Sequence, residues 1–186
     1  MIRMEILDIV DEQGIPTGKT IEREIAHEKG ILHRTSHVWI LRKHHCLQIL
    51  LQRRSSDKDS FPNCFDISSA GHIPAGVDFR SSAVRELKEE LGIAINKDEL
   101  IDCGNRRFQF EDIFHGKVFK DNQVSKIFIL WKDISESQCV FEDHEVSEVK
   151  WFDFDECYRL VQNNQFQHCI YLEELDILKR NLQSYE

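Results

Sequence analysis

The sequence lacks paired cysteines. Six stand singly (Cys46, Cys64, Cys103, Cys139, Cys157 and Cys169) with no C-x-x-C spacing. That argues against a disulfide framework or a thiolate zinc site and leaves them as reduced packing residues. There is no apolar run of membrane-spanning length, and the opening MIRMEILDIVDEQG puts Arg3, Glu5 and Asp8 where an export signal needs an unbroken apolar stretch. A cytoplasmic protein that stays off the membrane is the expectation. Internal repeats, low-complexity tracts and Pro/Gly/Ser linkers are also missing, so the 186 residues are read as a single domain, 1–186. Positive charge is scarce as well: 24 Lys and Arg stand against 33 Asp and Glu, a formal net charge of −9. A field of that sign repels nucleic acid polymers and anionic membranes. An anionic small molecule would need a divalent ion or a local basic cluster.

Against these absences the chain reads as alternating strands and helices. MEILDIVD predicts an opening strand closed by the turn EQGIPTG, and TIEREIAHEKGILHR a short helix or irregular segment ending near Gly30, together an N-terminal arm over 1–35. SHVWILRKHHCLQILLQRR predicts two strands about a polar turn at Lys43 to His45. After an irregular loop a helix begins near Asp78, Ser81 or Ser82, all N-capping residues, and stops at Gly92. ELIDCGNRRFQFEDI, GKVFKDNQVSKIFILWKDI and EVKWFDF read as strands. FDECYRLVQN and a segment at about 166–183 read as helices, the last of which either covers a sheet face or joins two copies in a homodimer. The pattern implies an α/β protein: a mixed sheet with helices on its faces.

AVRELKEELGI, Ala83 to Ile93, sets Glu86, Glu89 and Glu90 at helical offsets 0, 3 and 4 beside an apolar face of Leu87 and Leu91. Like charges so placed cost about 0.2–0.5 kcal/mol per pair on an isolated helix. A solvated face with Arg85 and Lys88 diluting the charge is the ordinary explanation. The glycine-rich AGHIPAG directly upstream offers another: backbone carbonyls and carboxylates can face a common point, an all-oxygen site that suits Mg²⁺ or Mn²⁺ bridging to phosphates.

Gly71 followed by Arg85-Glu86-Leu87-Lys88-Glu89-Glu90-Leu91-Gly92-Ile93 resembles the Nudix box, G-x5-E-x7-R-E-U-x-E-E-x-G-U, where U is a bulky aliphatic. Eight of nine specified positions match over 23 residues. The family's first glutamate falls on Val77, with Asp78 beside it to offset the loss of an acid that supports the box arginine. The resemblance implies an α/β/α sandwich and hydrolysis of a diphosphate joined to another moiety, commonly a nucleoside. It implies that Glu86, Glu89, Glu90 and the Gly71 carbonyl hold Mg²⁺ or Mn²⁺, that Arg85 belongs to the substrate-side machinery, and that a general base lies elsewhere. Glu145 is the first candidate for that base, with Glu111 and Glu142 behind it.

Further blocks (AHEKGILHRTSHVWI, LLQRRSSDKDSFPNCFD and SSAGHI) are similar to the type 1 isopentenyl diphosphate isomerases, a branch of the same superfamily, and to bacterial hydrolases grouped with them. By that likeness Arg53, Arg54 and Lys58 hold phosphate oxygens, although neighbours on a strand face opposite ways. His27, His33 and His72, with Asp121, match a second metal site suited to Zn²⁺ or Mn²⁺. The isomerase's proton-carrying cysteine and glutamate fall on Ala70 and Gln123, which cannot exchange protons. Isomerisation is therefore the lesser expectation, and a non-catalytic diphosphate-binding module a third. The aromatics Trp39, Phe61, Phe65, Phe110 and Trp151 have a packing role open to each of them.

Overall fold

The computed structural model describes residues 4–141 and 144–183. The chain opens with β1 (Ile6–Val10) and β2 (Pro16–Glu22), which pair with each other as a separate antiparallel ribbon, and continues into α1 (Arg23–Lys29). Then come β3 (His33–Lys43), β4 (Leu47–Arg54), β5 (Phe65–Asp66), β6 (Ser69–His72) and α2 (Phe79–Leu91). A long hairpin follows, β7 (Leu100–Phe114) and β8 (Lys117–Trp131), and after it β9 (Val146–Asp153), α3 (Phe154–Gln162) and α4 (Leu172–Leu182).

β3 organises the rest. Its residues are buried on both sides of the pleat: Val38 and Ile40 face one way, Trp39 and Leu41 the other, and none is more than 1% exposed. It pairs antiparallel with β4 and β6 and parallel with β8, from His33↔Gln123 to Leu41↔Trp131. With β7 beyond β8, and β5 and β9 beside β4, this makes a seven-stranded mixed sheet. On one face α2 sets Ala83, Leu87 and Leu91 against Val38, Ile40, Leu50, Phe128 and Leu130. On the other, α3 and α4 set Cys157, Val161, Leu175 and Leu178 against Trp39, Leu41, Ile49, Leu51 and Ile129. Helices thus cover both faces, an α/β/α sandwich. Among the described residues no helix is long and apolar enough to cross a membrane.

Two boundaries differ from expectation. β2 runs through the stretch read as a turn, because it lies almost wholly exposed and so carries no apolar alternation to announce it. The C-terminal helix starts at Leu172, not near 166. Upstream of it the backbone is extended and committed to β5: the Phe65 amide donates to the Gln167 carbonyl at 2.9 Å, and the Cys169 amide to the Phe65 carbonyl at 3.0 Å.

α2 has the termini its sequence predicts. The Asp78 carboxylate accepts from the Ser81 amide at 2.9 Å, and Gly92, at φ 70°, closes the helix in the left-handed conformation. Asp78→Ala is expected to cost about 1 kcal/mol of stability, read as a lower urea midpoint at unchanged m-value. A midpoint equal to wild type would show that the cap contributes nothing. Occupied as a cap and paired with Lys97 at 3.7 Å, Asp78 does not take over the support of Arg85 that the box's missing glutamate would have given.

Candidate active site

A cleft of about 1240 Å³ opens among the ends of β3, β4, β6 and β8, the loop after β4, and α1. Glu90 reaches it from the last turn of α2. Its Oε2 accepts from the Gln52 side-chain amide at 2.9 Å and from the Ala70 backbone amide at 3.3 Å. Burial nonetheless pushes this carboxyl up to about 7. One turn earlier, Glu86 lies against Gly71 and is pushed up to about 8, first by burial, then by the charge of Glu90, while Arg85 at 2.5 Å pulls the other way. Two neighbouring buried carboxylates gathered about a glycine are a donor set that fits a divalent cation.

Gly71 makes this packing possible. A Cβ at that position would overlap the Glu86 carboxyl group, so Gly71→Ala must displace Glu86. The expected cost is about 1–3 kcal/mol, together with weakened binding of Mn²⁺ measured by titration. Wild-type Mn²⁺ affinity in this variant would remove Glu86 from the cation site.

Glu89 stands apart from the other two acids. Its side chain is 59% exposed, holds Arg85 at 3.3 Å, and borders a shallow depression with Lys88 and Val140 outside the cleft. Arg85 is likewise absent from the cleft lining. Its guanidinium is ion-paired with Glu86 at 2.5 Å and with Glu89 at 3.3 Å.

Period-two alternation sorts the basic pair. Arg54 lines the cleft with Gln52, two residues before it, and is fastened to Asp66 at 3.0 Å and to the Ser60 carbonyl at 3.0 Å. Arg53 points away, donating to the Asn63 carbonyl at 3.0 Å and lying 3.7 Å from Glu148. Lys58 lines the cleft and is ion-paired with Glu145, which lines it too. Glu111 is exposed, 3.9 Å from Lys120, and does not line the cleft. Glu142 lies outside the described residues.

The three histidines converge. His27 and His72 approach through their Nε2 atoms at 2.9 Å, and the ligand nitrogens of His27, His33 and His72 all fall within 4.8 Å of one another. Burial lowers all three, His27 to about 3 and His33 to about 4, so the rings are neutral and able to donate lone pairs. His33 Nδ1 donates to the Ile31 carbonyl at 2.8 Å, which fixes its tautomer and leaves Nε2 buried without a partner. Asp121 Oδ1, 3.7 Å from that nitrogen, is buried and unpartnered as well. Orphaned lone pairs facing one another fit a cation.

Gln52 and Arg23 are among the cleft residues that escaped the sequence reading. Gln52 could have been found from its two-residue spacing to Arg54. Arg23 has no local cue, because it is the turn of α1 that brings it to the lining.

The family model described as NUDIX domain matches residues 31–172. An uncharacterised Nudix hydrolase of Clostridium acetobutylicum is 38% identical over 161 residues, 86% of this chain and 75% of that protein. One of Listeria innocua is 31% identical over 95% of this chain and 96% of its own length. Nudix hydrolase 3 of Arabidopsis thaliana is 37% identical over 82% of this chain, which spans only 20% of the plant protein. Among solved structures, a Deinococcus radiodurans protein superposes with TM-score 0.66 at 19% identity, covering 94% of this chain and 98% of its own. The Nudix domain of Shewanella oneidensis NrtR, complexed with ADP ribose, gives 0.58 at 15% identity over 81% and 87%. The box residues, the sandwich that carries them and these likenesses agree, and the chain belongs to the Nudix hydrolase family.

Proposed function

We propose that this protein hydrolyses the diphosphate linkage of a nucleoside-diphosphate-type or related small molecule, with Mg²⁺ or Mn²⁺ held by Glu86, Glu89, Glu90 and the Gly71 carbonyl. The observation that carries the reading is the pair of buried acids, Glu86 and Glu90, clustered about Gly71 beside a cleft that also holds Lys58 and Arg54. When bound, a divalent cation neutralises diphosphate charge and acidifies an attacking water. Everything else falls to the chain. Lys58 and Arg54 draw the phosphate oxygens into the cleft. Glu145 accepts a proton as water attacks phosphorus and the bridging P–O bond breaks. Gln52 holds one oxygen of Glu90, which orients the other. Glu89 joins the set by releasing Arg85.

His27, His33, His72 and Asp121 are proposed to hold a second ion, Zn²⁺ or Mn²⁺, supported by the unpartnered His33 Nε2 and Asp121 Oδ1. The whole chain is read as one Nudix domain, working in the cytoplasm as a monomer or homodimer. A Nudix domain of the same fold holds ADP ribose, which favours a nucleotide-like substrate. Isomerisation is not favoured: Ala70 and Gln123 both line the cleft, and neither can carry a proton.

The test is a panel of nucleoside diphosphate sugars, dinucleotides, cofactor pyrophosphates and prenyl diphosphates, incubated with Mg²⁺, Mn²⁺ or EDTA, with release of phosphate or a monophosphate measured. Metal-dependent release is expected from at least one nucleotide-like compound. Conversion of isopentenyl diphosphate to its allylic isomer without hydrolysis would overturn the reading.

A further inference from the structure

β7 is an open edge of the seven-stranded sheet. It pairs with β8 along one side, and among the described residues no strand pairs with the other. Every second residue of an antiparallel strand turns its amide and carbonyl away from its partner. Among the described residues, no backbone hydrogen bond from another element meets those of 105–114. Such an edge recruits further strands unless bulges or charges blunt it. The bulge is present, between Asp102 and Asn105, so the open stretch runs from there to the turn after Phe114.

The charges on this stretch do not blunt it. Arg106-Arg107-Phe108-Gln109-Phe110-Glu111-Asp112 reads the same from either end with the signs of charge exchanged. Two copies laid antiparallel with Gln109 facing Gln109 set Arg107 across from Glu111, Arg106 across from Asp112, and Phe108 across from Phe110. Facing residues in an antiparallel pair must both turn their peptide groups together or both apart, so the register slips only in steps of two. One step either way puts Arg107 opposite Gln109 or Ile113, and no arginine then meets an acid. Arg106 is buried and held by Glu173 at 3.1 Å and Glu174 at 3.5 Å. The pair that counts is therefore Arg107 with Glu111, made twice by symmetry. Arg107 is already kept at the surface by Glu12 at 2.6 Å, and the Glu111 side chain is 64% exposed.

We propose that a second copy of this chain pairs with the first along β7, about a two-fold axis at Gln109, and joins the two sheets into one. Opposite charges across an antiparallel pair attract and like charges repel, so this edge selects its own copy. A two-fold contact uses the same patch on both chains and closes on itself, which keeps an open strand from building fibres. The axis is normal to the sheet, so both clefts open on the same face. Phe108, which lines one cleft, then has the partner's Phe110 beside it. The homodimer is thereby placed at β7 and not at α4, and it stands whether or not the cleft cleaves diphosphates.

Sedimentation equilibrium reads the assembly. At about 100 μM the wild-type chain is expected at twice its 22.0 kDa. Glu111→Arg sets arginine against arginine at both ends of the pairing and is expected to weaken association about tenfold or more. Adding Arg107→Glu to it exchanges the two signs and restores the dimer. Each variant is first shown to melt as wild type does. Gln109→Cys tests the register, because only at the axis does a residue meet its own copy. Facing Cα atoms there lie about 4.5–5.5 Å apart, within disulfide reach. In a Cys46→Ser background, which removes an exposed thiol, mild oxidation is expected to link the chains through Gln109→Cys and not through Ile113→Cys. A wild-type monomer at this concentration would overturn the proposal. So would a dimer that Glu111→Arg leaves unchanged, or one whose Gln109→Cys chains stay unlinked. If the doubly substituted chain fails to fold, the linking result still decides.

Discussion

Replacing Glu90 by glutamine is expected to lower turnover about a thousandfold while leaving the metal-free protein at least as stable as wild type. The two halves of this result have one cause. Glu90 is enclosed by Gln52, Ala70 and the cleft floor, and burial holds its carboxyl up to about 7, so near neutrality the metal-free fold already tolerates an uncharged group there. Glutamine has the same shape and no charge to desolvate, and the structural penalty is small or reversed. The reaction, by contrast, loses an anionic ligand at the position where phosphate charge must be neutralised. Such a loss is worth about 4 kcal/mol of transition-state stabilisation, about three decades in rate. Turnover on the best substrate of the panel and thermal melts in EDTA measure both halves. Activity within tenfold of wild type, or a marked fall in metal-free stability, would separate Glu90 from the cation site.

Stability without metal should fall as pH rises from 7 to above 8, and a divalent cation should remove most of that fall. Glu86 and Glu90 are raised from an ordinary value near 4.5 to about 8 and about 7. The native state therefore keeps protons that the unfolded chain has already released. Their stabilising contribution is full below about pH 4.5 and is lost as pH climbs through the folded values. His27, His33 and His72 act with the opposite sign, since their lowered values cost stability only as pH falls below about 6.5. Asp121, raised to about 6, has finished titrating by pH 7. From 7 to 8.5 the acids act together with the buried thiols of Cys103, Cys157 and Cys169, which burial also raises, so the share of the acids is the difference between wild type and Glu86→Gln, one proton's difference corresponding to a slope of about 1.4 kcal/mol per pH unit. Urea unfolding at pH 7.0, 7.75 and 8.5, in EDTA and in Mg²⁺, reads it directly. The slope should flatten in Glu86→Gln. A metal-free profile that is level across this interval would show that the two carboxyls ionise freely and form no cation site.

The residues most legible in the sequence were those tied to a local period. Glu86 and Glu90 share a helical face, Asp78 and Gly92 bound that helix, and the alternation in LLQRR separates Arg54 from Arg53. The sandwich itself followed from runs buried on both sides, such as VWIL. Contacts made across long chain separations were not legible by those means. Nothing near Glu145 announces Lys58, 87 positions away, as its partner. The convergence of His27 with His72 depends on β3 pairing with β6 on one side and β8 on the other. Resemblance supplied the histidines, but not the rings of Phe108, Phe114, Phe119 and Tyr171 that line the same cleft. Glu89 shows the opposite limit: its helical offset matches the box, and yet its side chain turns to Arg85 at the surface.

One short strand sets the spacing of the whole centre. Gly71 and His72 are consecutive in β6, opposite Ser36 and Thr35, so a single peptide unit of about 3.8 Å joins the carboxylate cradle to the imidazole cluster. Because a strand alternates its faces, the bare side of Gly71 meets Glu86 while the next side chain turns to the histidines. The interval between the two clusters is thus a covalent ruler and cannot be retuned by side-chain rotation. A one-residue slip of β6 along β3 would thrust an imidazole at the acidic helix and disable both clusters at once.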